Sequence, residues 1–235
     1  MNIFTRTVCV LSLSMLLAGQ YALAKDYIIE MVFFANMSDP DQPLVQAPEP
    51  SVAPDLQDAV TLDDSALLHD FLPLPLDALK LADQAAALAE SGDFRVLKHV
   101  AWLQPGLAKK SALPVHIEAG LDYSAEFDIH EPGELSSEDH NLLARQPINE
   151  LEGTVKIVLG RYLHVFTDLI YRRPVDRNTD TASITSEQPE HDRILADFPL
   201  KIHRKMRSKE LHYIDHPLFG ILVEIWPAES GDGSP

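Results

Sequence analysis

The stretch LEGTVKIVLGRYLHVFTDLIYRR, Leu151 to Arg173, is the most strand-like part of the chain and the part on which the fold reading turns. It is rich in β-branched and aromatic residues, and it is too long for one ordinary strand. Gly160 lies near its middle. The glycine predicts a hairpin turn between two strands, the alternative being a bulge in a single long strand. A hairpin makes its two strands antiparallel neighbours, so the rest of the chain is read as additions to an antiparallel sheet.

Working outward, Phe198–Met206 reads as a further strand, and Leu218–Trp226 as an apolar run suited to the middle of a sheet. Towards the N-terminus, Asp26–Ala35 (DYIIEMVFFA) is a strand bounded by a turn-like Asn-Met-Ser-Asp-Pro-Asp. Leu76–Ser91 is Ala- and Leu-rich, preceded by Pro75 and stopped by Gly92, and it reads as the main helix. Phe94–Leu103 alternates, with Phe94, Val96, Val100 and Trp102 expected on one face and Lys98 as the exception. Val115–Gly120 reads as a short strand, and Ser65–Phe71 as a short helix with Asp64 as its cap.

Three segments, 36–75, 121–150 and 174–194, have the composition of long irregular loops; the first holds seven prolines. Residues 227–235 read as a disordered tail. The expected fold is α+β: a predominantly antiparallel sheet of about six strands with one main helix packed on it, forming one domain over residues 25–226.

Residues 1–24 read as a cleaved signal peptide. Arg6 gives the positive start, Val8–Leu17 the apolar centre, and Ala22-Leu23-Ala24 the small-x-small cleavage site. The apolar run is too short to span a bilayer. Gln20 stands where a lipoprotein signal needs its cysteine. The single cysteine, Cys9, lies inside the signal, so the expected exported chain has neither a disulfide nor a thiol nucleophile. The formal net charge of −17 argues against nucleic acid as a partner.

The charge is uneven, and this directs attention to RKMRSKELHYIDHP, Arg204–Pro217. Lys201, Arg204, Lys205, Arg207 and Lys209 fall within nine residues of an otherwise acidic chain. Strand alternation places Lys201, Lys205, Arg207 and Lys209 on one face, and the guanidinium forks suit carboxylates or phosphates. Arg161, Tyr162 and His164 form a second candidate, an aromatic beside cations that could stack on a sugar. Tyr213 and Trp102 are further candidates for that stacking.

His212, Asp215 and His216 carry ligand and acid–base chemistry, which supports an alternative reading as a hydrolase or metalloprotein. Their spacing on an extended chain is too wide for one metal, so Asp215 and Pro217 are read as a turn leading into the last strand. Asp176–Glu187 superficially matches a calcium loop but has Thr181 where the glycine is required. No cofactor motif, metal site or catalytic residue is assigned.

Four elements together resemble the CsiV family of Gram-negative periplasmic proteins: IIEMVFF, AWLQP, GRYLHV and MRSKELHYIDHPLFGILVEI, which run in family order from Ile28 to Ile225. The resemblance implies a non-enzymatic, periplasmic, peptidoglycan-binding protein that supports cell-wall biogenesis and cell shape. It further implies partnership with the lipoprotein activator of a class A penicillin-binding protein. It carries no residue-level site, so the expected ligand contacts are those read from the residues: Arg204, Arg207, Lys205, Arg161, Tyr162, His164, His212 and Tyr213.

Overall fold

The computed structural model describes residues 25–37, 53–127, 147–176 and 193–228. Among these, nine strands form two antiparallel sheets rather than one. The first sheet has the order β2 (Leu72–Pro73), β3 (Phe94–Pro105), β1 (Asp26–Asn36), β9 (Phe219–Pro227), β8 (His212–Asp215). The second has the order β4 (Pro114–Asp122), β5 (Asn149–Leu159), β6 (Leu163–Asp176), β7 (Arg193–Met206).

The sheets bury their inner faces against one shared core. Ile29, Met31, Phe33, Trp102 and Ile221 come from the first sheet, and Ile117, Leu151, Val155, Val165, Leu169 and Phe198 from the second. One α-helix lies among the described residues, α1 (Ala82–Glu90), and it covers the outer face of the first sheet: Leu81, Ala85 and Leu88 lie against Val32, Phe34, Phe94 and Val96. Strand β1 is therefore covered on both sides, which explains why IIEMVFF reads as a nearly continuous apolar run instead of alternating.

Both open sides of the sandwich are bridged. On one, Val60 pairs with Val115 of β4, a 3-10 turn at Asp64–His69 buries Ala66, and β2 then joins β3. The Asp63 side chain accepts from the Ser65 N–H and caps that turn, one residue before the cap expected. On the other, Arg204 Nη1 donates to the Tyr213 carbonyl at 2.7 Å and ties β7 to β8.

Three differences from the sequence reading have identifiable physical causes. The helix does not run from Leu76: a 3-10 turn at Leu76–Ala78 is followed by a break, and α1 starts at Ala82. The reason lies fifty residues upstream. The buried Glu30 carboxylate accepts the N–H groups of Lys80 (2.9 Å) and Leu81 (2.7 Å), and His99 Nε2 lies 2.7 Å from Oε1. A carboxylate at that point satisfies otherwise orphaned donors and complements the positive helix end.

The second difference is in β3. Its register with β1 shifts between Phe33↔Lys98 and Phe34↔Val96, so a bulge reverses the alternation. Phe94 and Val96 consequently face α1, whereas Val100 and Trp102 face the sandwich core. Lys98 sends its ammonium to the Glu118 carbonyl at 2.9 Å. The third is that His212–Asp215 is a short edge strand, and the turn comes one step later, at His216–Leu218.

The hairpin reading of Leu151–Arg173 holds. Leu159 pairs with Leu163, and Gly160, Arg161 and Tyr162 form the loop, closed by the Gly160 N–H on the Tyr162 carbonyl at 3.0 Å. Within β5, Gly153 has φ +144°, and a Cβ there would fall 2.1 Å from the Asp168 carbonyl oxygen. The backbone of β6 thus approaches through space that only glycine leaves open. Gly153→Ala is expected to destabilise the protein by about 3 kcal/mol through overpacking and an unfavourable φ. Urea unfolding should show this as a lower midpoint at unchanged slope.

Candidate functional site

The register of the second sheet builds the site. With Leu163, Val165 and Leu169 buried in the core, the alternate residues of β6, His164, Phe166 and Asp168, must face outward. Pairing then fixes their neighbours. His164 lies opposite Lys205, and Phe166 lies between Lys156 of β5 and His203 of β7. Asp168 lies between Thr154 and Lys201.

These residues form a connected track of rings and cations. At one end Lys205 Nζ sits 3.2 Å from the ring centroid of Tyr162, which the hairpin loop holds 44% exposed. Next, His164 Nδ1 and His203 Nε2 are 2.9 Å apart, so one ring nitrogen donates and the other accepts. His203 stacks flat on Phe166, with centroids 4.2 Å apart and planes within 2°. Lys109, from the β3–β4 connection, stands 5.3 Å over the other end of this stack.

Beyond Phe166 the track opens into a groove of about 690 Å³. Lys109, Lys110, Lys156 and Lys201 supply its cations, and Asp55, Asp58 and Asp168 its carboxylates. Lys201 donates to Asp168 Oδ2 at 2.7 Å, and that hydrogen bond holds its pKa above the ordinary lysine value. The other lysines line the same groove, together with the Phe166 and His203 rings. Such a surface can stack on the apolar face of a sugar ring and meet carboxylates at the same time.

The residues expected as contacts from the sequence fall into two groups. Lys205, Tyr162, His164 and, less closely, Arg161, 6.0 Å from the Tyr162 ring, meet at the head of this track. Arg204, Arg207, His212 and Tyr213 gather instead where β7 passes to β8. Arg204 faces the opposite side of β7 from Lys201, His203 and Lys205 and is engaged with the Tyr213 backbone. The Arg207 N–H donates to His212 Nε2 at 3.4 Å, and its guanidinium reaches Glu210 at 3.5 Å.

The basic cluster is therefore not one patch. Strand β7 ends at Met206, and Lys209 takes a positive φ of 65° in the turn that follows, so Arg207 and Lys209 leave the face that carries Lys201 and Lys205. Trp102 is fully buried, with Nε1 donating to Gln104 Oε1 at 2.8 Å, and cannot face a sugar.

His212, Asp215 and His216 are each occupied separately. The Tyr213 hydroxyl donates to Asp215 at 2.5 Å, and burial together with this bond pushes its pKa up to about 12. His216 Nδ1 accepts the Leu218 N–H at 3.2 Å, and burial lowers its pKa. The three are not among the described groups whose donor atoms cluster within 4.8 Å of one another; His116, Glu118 and Glu152 are. Of the calcium-like stretch only Asp176 lies within the described residues, at the end of β6.

Phe166, Lys156, Lys109 and Lys110 were not singled out by the sequence reading. A usable signal existed for two of them. Once Leu159 and Leu163 close a three-residue loop, counting back places Lys156 opposite Phe166. The lysines of the β3–β4 connection carry no such signal.

The family described as "Peptidoglycan-binding protein, CsiV" matches residues 7–228. No curated protein and no solved structure matches the chain. A match of that extent covers nearly the whole sequence and every element of both sheets, and the chain belongs to the CsiV family of peptidoglycan-binding proteins.

Proposed function

We propose that this protein is a non-enzymatic peptidoglycan-binding protein of the periplasm, exported by the signal peptide at residues 1–24, and that it holds its ligand on the outer face of the β4–β7 sheet. The observation that carries the reading is the track from Tyr162 and Lys205 through His164 and His203 to Phe166, opening into the lysine-lined groove. Glycan strands offer apolar ring faces and hydroxyls, and their stem peptides offer carboxylates. The stacked rings suit the first, Asp55, Asp58 and Asp168 the second, and the lysines the third.

The location of these cations also answers the charge problem. A chain of −17 repels a polymer rich in carboxylates, so binding needs a surface where positive groups outweigh the mean field. The expected attraction is screened by salt, while stacking on Phe166 and Tyr162 is not.

Through this contact the protein supports wall synthesis by a class A penicillin-binding protein and its lipoprotein activator. That partnership rests on the family resemblance; a pull-down from envelope extract tests it, and recovery of neither protein contradicts it. The β7–β8 corner, with Arg204, Arg207, His212 and Tyr213, is the second surface to examine for ligand or partner.

Co-sedimentation with purified sacculi tests the binding face. Wild-type protein is expected to pellet at low salt. Phe166→Ala/His203→Ala and Lys156→Glu/Lys205→Glu are expected to weaken retention about tenfold or more, corresponding to at least ~1.4 kcal/mol. Arg204→Ala/Arg207→Ala should retain most of it. If the arginine pair abolishes sedimentation while both sheet-face pairs pellet like the wild type, the ligand sits at the β7–β8 corner instead.

A further inference from the structure

We infer that the β4 edge of the same sheet holds a divalent transition-metal site of the zinc type, formed by His116, Glu118 and Glu152. These residues lie outside the aromatic track. His116 and Glu118 are two apart on β4 and share a face, and Glu152 is the cross-strand partner of Glu118 on β5. One donor atom from each falls within 4.8 Å of the others, and His116 Nε2 is 3.9 Å from Glu152 Oε1. Donors bound tetrahedrally at ~2.1 Å would stand roughly 3.4 Å apart, so only a small closure is required.

The second observation is the state of the histidine. His116 Nε2 is buried yet lacks a hydrogen-bond partner. A buried nitrogen left without a partner is costly, and the nearest carboxylate oxygen is beyond hydrogen-bond reach. A cation between them would satisfy both.

The surroundings already hold both carboxylates. Arg172 Nη1 donates to Glu152 Oε2 at 2.7 Å and to the Asn149 carbonyl at 3.0 Å. Asn149 Nδ2 donates to Glu118 Oε1 at 3.2 Å. This fixes the carboxylates in the manner of outer-shell partners in metal sites, leaving Glu152 Oε1 as the oxygen that faces the imidazole. The backbone of His116 is pinned as well, since its N–H donates to the Val60 carbonyl at 2.9 Å. One imidazole and two carboxylates form a mixed N/O set suited to zinc, with water completing the coordination.

The test uses untagged, chelator-stripped protein titrated with zinc chloride against a chromophoric competitor. One zinc per chain is expected, with affinity weakened at least about tenfold in both His116→Ala and Glu152→Gln, a loss on the scale that even outer-shell changes produce. The track variant His164→Ala/His203→Ala is expected to bind zinc as the wild type does. Nitrogen NMR of the wild-type imidazoles gives a readout that needs no variant: His116 Nε2 should move on zinc addition. Absence of binding below millimolar zinc, zinc binding that leaves the His116 signal in place, or affinity lost only in the His164/His203 variant would each overturn the site.

Discussion

The alternation of β6 is the constraint from which the candidate site follows. Leu163, Val165, Leu169 and Tyr171 are buried against the opposing sheet, so His164, Phe166 and Asp168 have nowhere to go but outward. Two neighbours fix what they meet there. The three-residue loop at Gly160 sets the register with β5, and the long pairing from Leu163↔Met206 to Asp176↔Arg193 sets the register with β7. A slip of one residue would exchange the aromatic track for the core face, and burial of the inner residues makes that slip prohibitively unfavourable. Gly153 secures the same arrangement by letting β6 approach β5 more closely than any side chain would permit.

The sandwich explains why such a face is available. One side of the β4–β7 sheet is sealed by the first sheet, whose own outer side is covered by α1. The outer side of the β4–β7 sheet, by contrast, keeps exposed or half-buried residues in register rows: His164 with Lys205, Lys156 with Phe166 and His203, and Asp168 with Lys201 beside the buried Thr154. At the β4 end of the same face the character changes to His116, Glu118 and Glu152. A single rigid surface thus presents aromatic, cationic and anionic zones in a fixed order.

Much of this was legible in the sequence, and the failures have physical causes. The hairpin, β1, β4, β7 and β9 follow from composition and from Gly160, because each is a local pattern. The division into two sheets is not local. Alternation says that a strand has a buried face, not which partner buries it. The start of α1 depends on Glu30, and the bulge in β3 depends on its pairing with β1. Tyr162, His164 and Lys205 stand out in the sequence as aromatic and cationic groups, but their union with Phe166 and His203 requires the β6–β7 register, which no turn near in sequence announces. The basic run from Lys201 to Lys209 reads as one patch only if its strand continues past Met206, where β7 in fact ends.

The central claim is that ligand meets the outer face of the β4–β7 sheet. Chemical-shift mapping of the labelled protein with soluble peptidoglycan fragments tests it most directly. The account predicts perturbations concentrated at Lys156, His164, Phe166, Lys201, His203 and Lys205, with the amides of β8 and β9 unmoved. Perturbations confined to Arg207–His216, with the β5–β7 rows silent, would contradict it.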